Sequence, residues 1–319
     1  MKSFIISQND ANQRLDKFIS KAAPFLPQAL MYKYIRLKRI KVNGKKGEIS
    51  QRLNLNDVVD MYINDEFFPD GNSSLPFLHA KTELDIVYED ENILLTNKPA
   101  GLVVHEDENE KYDTLINRIL LYLYNKKEYS PEHENSFVPA LCNRIDRNTS
   151  GIVIAAKNAD SLRILNEKIK KREIDKFYLC VVKGVPKNRA DTLKGYILKD
   201  SSSNTVSVSK EKTPGALSAV TKYRVLDTKN GYSLVEAELL TGRTHQIRAQ
   251  FANIGHPLLG DTKYGRIKDF KNTGFSHQAL CSYKLTFAFP TDASTLNYLK
   301  GRSFELKNIP FLTDFYNGI

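Results

Sequence analysis

Residues 66–80 carry Pro69, Asp70-Gly71, Asn72, Ser73, Ser74 and Pro76, with no hydrophobic period of two or of 3.6. Backbone breakers at that density do not continue a helix or a central strand. The segment reads as a linker. It obliges the chain to fold as two units, 1–65 and 81–319, and the 319 residues suffice for a small domain and a large one.

The first unit has a helical pattern followed by an alternating one. Arg14-Leu15-Asp16-Lys17-Phe18-Ile19 opens a helix with Leu15, Phe18 and Ile19 on one face, broken by Pro24 and Pro27. A second helix is predicted over residues 28–38, with Leu30, Met31, Tyr34 and Ile35 together. Residues 40–44 alternate like a strand and close on Asn43-Gly44, a hairpin turn pair. Residues 57–63 read as the closing strand. From Lys17 to Gly47 there are nine basic residues and no acid. A solvated helix face ordinarily mixes the two signs, so that i,i+4 pairs offset repulsion. This run does not, and Lys33, Arg36, Lys38, Arg39, Lys41 and Lys45 are assigned to phosphate contact.

The second unit begins with a hairpin pattern, 84–88 and 93–97. A helix follows at about 112–124, then a polar loop at 125–136. Ile152-Val153-Ile154-Ala155-Ala156 is an apolar strand. Asp160 is placed as the N-cap of a helix running to about Arg172. Strands are predicted at 176–182, 219–226 and 232–240, and the Ser/Thr-rich stretch 200–214 is taken as a long hairpin loop. A last helix covers 244–253, with Ile247, Phe251 and Ile254 inward and Gly255 as its stop. Strands in runs with segregated helices indicate an α+β fold.

The net charge of +10 points to a polyanionic partner. A membrane surface is the rival reading, but no basic amphipathic helix stands out and Trp is absent. No stretch is long and apolar enough for a membrane span or a signal peptide. Cys142, Cys180 and Cys281 are widely spaced and odd in number, which fits reduced thiols in a cytoplasm. The chain lacks Walker A, dinucleotide-binding and Gly-x-Ser-x-Gly patterns, and its histidines have no metal-ligand spacing. No nucleotide cofactor, metal or other cofactor is expected.

Before that apolar strand lies Asn143-Arg144-Ile145-Asp146-Arg147-Asn148-Thr149-Ser150-Gly151. It is a turn-rich run with one carboxylate between two arginines. Nearby positive charge favours the ionised form of a carboxylate, and a positioned carboxylate can act as nucleophile or base on a sugar. A structural Asp–Arg pair in a loop fits the same spacing.

Along its length the second unit resembles the RluA-type pseudouridine synthases. The matching pieces are Asn97-Lys98-Pro99-Ala100-Gly101, the Asn143–Gly151 run, Lys176-Phe177-Tyr178 through Gly184, and residues 219–223. They continue with Leu240-Thr241-Gly242-Arg243-Thr244-His245-Gln246-Ile247-Arg248, then Gly255-His256-Pro257, Gly260-Asp261 and Tyr264-Gly265. The first unit looks like an S4 RNA-binding domain through Arg14–Phe18, its basic second helix, Val42-Asn43-Gly44 and Asp57-Val58-Val59. The combination is similar to the branch that modifies uridines of large-subunit ribosomal RNA. The resemblance implies a largely antiparallel mixed sheet and an isomerase that turns RNA uridine into pseudouridine. It also implies a structured RNA partner and a cytoplasmic monomer. By the same resemblance Asp146 is the catalytic residue, Arg243 its guanidinium partner, Tyr178 the stacking aromatic, and Arg144 the side chain that enters the space left by a flipped base. Arg147, His245 and Gln246 are then substrate-binding; His245 and Gln246 shape the RNA-facing rim, unless His245 instead caps its helix. The family commonly has His where this chain has Asn143. Two rival functions are a catalytically silent RNA-binding or ribosome-assembly factor and, more distantly, a glycosidase, which usually needs two carboxylates.

Overall fold

The computed structural model describes every residue except 70–74, 201, 267–269, 271–272 and 319, so the middle of the expected linker lies outside the described residues. Two sheets organise the chain. The first contains β1 (Lys2–Ile5), β2 (Ile40–Val42), β3 (Lys45–Lys46) and β4 (Val58–Met61) in the order β1-β4-β2-β3. Helices α1 (Leu15–Ala22) and α2 (Gln28–Arg36) share a core with it, built from Leu15, Phe18, Ile19, Met31, Ile35, Val59 and Met61. Asn43 and Gly44 both take positive φ, 52° and 73°, as a tight hairpin turn requires. Helix α2 ends two residues earlier than its hydrophobic pattern predicts. Lys38 turns left-handed and Arg39 N–H bonds back to Tyr34 O at 2.9 Å. Strand β1 has no counterpart in the sequence reading; it is short, and its partner β4 lies far along the chain.

The second unit holds an 11-stranded sheet. Its strands are β5 (Ile86–Glu89), β6 (Ile93–Lys98), β7 (Ala140–Leu141), β8 (Ser150–Ala156), β9 (Asp175–Lys183), β10 (Ala190–Asp200), β11 (Thr205–Ser209), β12 (Leu217–Lys229), β13 (Tyr232–Leu239), β14 (Leu280–Thr286) and β15 (Ser303–Glu305). The main order is β11-β10-β12-β13-β9-β14-β8-β6-β5, with β7 beside β8 and β15 beside β14. Among the described residues every pairing is antiparallel except β14 with β8. Helices α3 (Leu115–Asn125) and α5 (Gln246–Asn253) pack on one face; α4 (Ala159–Lys170) and α6 (Pro310–Asn317) pack on the other. This is the expected mixed α+β sheet.

Past Ser150, strand β8 is apolar because both faces are covered. Val153 and Ala155 join the α3/α5 core, while Ile152 and Ile154 join the α4 core. The parallel contact is close. A methyl group on Gly151 would lie 2.3 Å from Ser282 O, and Gly151 has φ +114°. Only glycine fits both demands, so the Asp146 loop is delivered into β8 at a fixed height.

Several boundaries differ from expectation. Within the stretch read as a hairpin loop, Thr205–Ser209 pairs with Tyr196–Asp200. Asn158, not Asp160, caps α4 by accepting from Ser161 N–H at 2.9 Å. Asp160 instead pairs with Arg163 at 3.1 Å. Ile254 falls past the end of α5 and is exposed. The polar loop 125–136 docks the two units: buried Asp10 accepts from Asn135 Nδ2 at 2.7 Å and Ser136 Oγ at 2.6 Å. Among the described residues no helix is long and apolar enough to cross a membrane.

Candidate active site

Asp146 sits in the loop between β7 and β8, with about a quarter of its side chain exposed (26%). Its carboxylate does not meet Arg243. Arg248 Nη1 donates to Asp146 Oδ2 at 2.8 Å. The same guanidinium forms a two-pronged pair with Asp261, Nε to Oδ2 at 2.7 Å and Nη2 to Oδ1 at 3.0 Å. Arg248 and Asp261 are both buried, and the two carboxylates raise the guanidinium pKa against the opposing effect of burial. Asp261 therefore fixes the plane of the guanidinium, and the remaining nitrogen is aimed at Asp146.

Arg243 is occupied differently. Its Nε donates to Ser218 O at 3.0 Å, and its main-chain N–H donates to Gln246 Oε1 at 3.1 Å. Gln246 is correspondingly not on a rim. It is buried, accepts also from Thr241 Oγ1 at 2.8 Å, and donates to Val220 O and Thr221 Oγ1. It locks the turn that starts α5. The helix then presents Arg248 and Phe251, three residues apart, on one inward face. That i,i+3 relation to an inward aromatic is the sequence signal for Arg248.

His245 begins α5 in a left-handed conformation, φ 53°, and makes no capping bond with its side chain. Its Nε2 lies 3.7 Å from Asp146 Oδ2, and its Nδ1 lies 2.9 Å from Tyr264 Oη. Tyr264 Oη already accepts from Val206 N–H at 2.8 Å, so its own proton is free for Nδ1. That network favours the tautomer with the imidazole proton on Nε2, facing the carboxylate. Burial lowers the His245 pKa, with Arg248 and Lys263 acting in the same direction and Asp146 opposing.

Tyr178 is buried on β9, and burial pushes its phenol up to about 12, with Asp146 adding to the rise. It is a neutral hydroxyl, packed in the same core as Ile145 and Ile247, the neighbours in sequence of Asp146 and Arg248. Arg144 is exposed. Its charge acts with burial to keep the neighbouring His105 imidazole below its usual range. Arg147 is exposed too, paired with Asp107 at 2.6 Å. Asn143 Oδ1 accepts from Ile154 N–H at 2.8 Å, which ties the loop to β8.

The loop is also held from beneath. Lys98 is fully buried, and its ammonium donates to Pro99 O, Leu102 O and Arg147 O at 2.8, 2.7 and 2.7 Å. Burial pulls it down to about 7, with Asp146 pulling back. Only the charged form has three N–H donors for those three carbonyls. Lys98→Met is expected to strand them and to cost about 3 kcal/mol. Urea unfolding checks it: a midpoint equal to that of the unmodified chain would refute the cradle.

A family model described as RNA pseudouridylate synthase matches residues 92–253. The chain belongs to that family. Its similarity to curated relatives runs over most of both chains. It is 33% identical to an uncharacterised RNA pseudouridine synthase of Mycoplasma genitalium, over 89% of this chain and 88% of that one. It is 36% identical to an uncharacterised RNA pseudouridine synthase of Mycoplasma capricolum, over 84% and 87%. It is 29% identical to ribosomal large subunit pseudouridine synthase C of Haemophilus ducreyi, over 96% and 93%. In fold it is similar to human RNA pseudouridylate synthase domain containing 4, with a TM-score of 0.57 and 22% identity over 73% of this chain and 92% of that one. Pseudouridine synthases isomerise uridine to pseudouridine in RNA, and the chain is an enzyme of that class.

Proposed function

We propose that this synthase modifies uridines of large-subunit ribosomal RNA, with Asp146 as the catalytic residue. The observation that carries the reading is Asp146 partly open to solvent, gripped by Arg248 from one side and faced by His245. The reaction breaks the uracil N1–C1′ bond, turns the base and joins C5 to C1′; the C5 proton leaves and N1 ends protonated. The atoms balance overall. A carboxylate can serve either by adding to C1′ as the base departs or by removing the C2′ proton to leave a glycal. Both routes need an acid side chain held in one orientation, which Asp261 supplies through Arg248. The target must first leave its stack, at a cost of about a few kcal/mol. Arg144, exposed and two residues from Asp146, would fill the gap. Tyr178 offers a flat neutral face to the extruded base.

The N-terminal unit fits an S4-type RNA-binding role. Lys33, Arg36, Lys38, Arg39 and Lys45 are exposed and Lys41 is half-buried; among the described residues none has a carboxylate partner. Cations unneutralised by the protein are available to phosphates. Replacing Lys33, Arg36, Arg39 and Lys45 by Gln together is expected to flatten the dependence of log affinity on log salt, by about 0.7–0.9 for each phosphate no longer bound. Filter binding of ribosomal RNA across a salt series reads this, and an unchanged slope would remove the unit from the interface. The substrate assignment is tested by tritium release from RNA labelled at uridine C5. Large-subunit RNA from cells lacking the gene is expected to release tritium, and transfer RNA is not. The reverse preference would overturn the assignment.

A further inference from the structure

Strand β9 carries a second cation next to Tyr178. Lys176, Tyr178, Cys180 and Val182 alternate onto one face of the sheet, and the last three join the core beneath α5. Lys176 lies two residues nearer the start of β9, about 7 Å along the strand from Tyr178. It is half-buried, and burial lowers its pKa with no carboxylate acting against the shift. Other buried lysines are partnered: Lys98 by three carbonyls, Lys157 by Glu89 and Glu128, Lys168 by Glu173 and Thr291. Among the described residues the Lys176 ammonium has no ion pair or hydrogen bond. The nearest acids in the strands, Asp175 and Glu238, alternate onto the opposite face, where Glu238 pairs with Lys222 at 3.5 Å.

The turn that starts α5 leaves this ammonium uncovered. A methyl group on Gly242 would lie 3.8 Å from Lys176 Nζ and meet nothing else within 4 Å. Gly242 has no positive φ, so its backbone does not demand glycine. A side chain there would start against the ammonium, and glycine leaves that side of it clear.

A half-buried cation without a counter-charge, on the face that holds Tyr178, lacks an anion that the substrate has. We propose that Lys176 binds a backbone phosphate next to the target uridine, so that strand β9 holds the nucleotide at two points, phosphate on Lys176 and base on Tyr178. This rests on the Asp146 site being the isomerising centre.

The test uses the full chain and large-subunit ribosomal RNA from cells lacking the gene, labelled with tritium at uridine C5. Lys176→Met and Lys176→Gln each remove the charge while keeping the stem. Both are expected to raise KM about ten-fold with kcat within about three-fold. Both are expected to lower the log–log salt slope of binding by about 0.7–0.9, the value for one phosphate. Lys176→Arg is expected to restore both. Unchanged KM and slope in both neutral variants would overturn the proposal, as would a fall in kcat at unchanged KM. Failure of the wider reading looks different: the unmodified chain then releases no tritium, while the salt slope still reports on Lys176.

Discussion

Asp146→Asn is expected to reduce tritium release below detection while RNA affinity stays within a few-fold of the unmodified chain. The substitution keeps shape and a hydrogen-bond acceptor toward Arg248, but an amide oxygen neither adds to C1′ nor takes a proton from C2′. Binding is expected to survive if, as proposed, phosphate contacts on the N-terminal unit, which has its own core, hold most of the RNA. Release by the variant at an appreciable fraction of the unmodified rate would mean that another group performs the chemistry. The change in stability is expected to be small, since Asp146 is partly exposed and Arg248 keeps Asp261.

Arg248→Lys should be the second most damaging change, for two separable reasons. One guanidinium serves two carboxylates, Asp146 and Asp261, through three hydrogen bonds. A lysine ammonium lacks the planar fork and cannot reproduce that geometry. If it stays with Asp261, Asp146 loses its orientation, and the single-turnover rate is expected to fall about 10²-fold or more. If it moves to Asp146, buried Asp261 is left without its charge partner, a destabilisation of about 3–5 kcal/mol. Arg243→Lys is the control, expected to leave the rate within a few-fold because, among the described residues, the Arg243 side chain bonds only to Ser218 O. Single-turnover rates and urea midpoints distinguish the cases. Equal falls in both variants, or a larger fall at Arg243, would contradict the pairing seen in the structure.

The contrast between these two arginines marks how far the sequence can be read. The Asp146 run, the aromatic at 178 and the mixed α+β sheet follow from local pattern and resemblance. Which arginine faces Asp146 depends on rotation about α5, and that rotation is set by the left-handed His245 and by Gln246 locking the turn. Neither is visible in the sequence: the spacing to Phe251 marks Arg248 only as inward-facing, and the resemblance favours Arg243, the residue on the turn itself. Gln246 reads as a surface amide until the backbone and side-chain groups it satisfies are seen. Lys98 is legible as a matching residue but not as a buried one, because its partners are main-chain carbonyls that leave no side-chain signal. The Lys176 environment is equally hidden, since it depends on what is absent around the ammonium. Strands β10 and β11 escape sequence reading over 190–209 for simpler reasons: β10 is largely exposed and carries little apolar alternation, while the alternation of β11 spans only five residues inside a Ser/Thr-rich stretch.

The central claim is that one carboxylate, aimed by Arg248, converts uridines in ribosomal RNA. Its most direct test is chemical mapping of pseudouridine in RNA from cells without the gene, complemented by the unmodified chain or by Asp146→Asn. One or more large-subunit positions are expected to lose pseudouridine on deletion and to regain it only with the unmodified chain. Restoration by Asp146→Asn, or an unaltered large-subunit map after deletion, would contradict it.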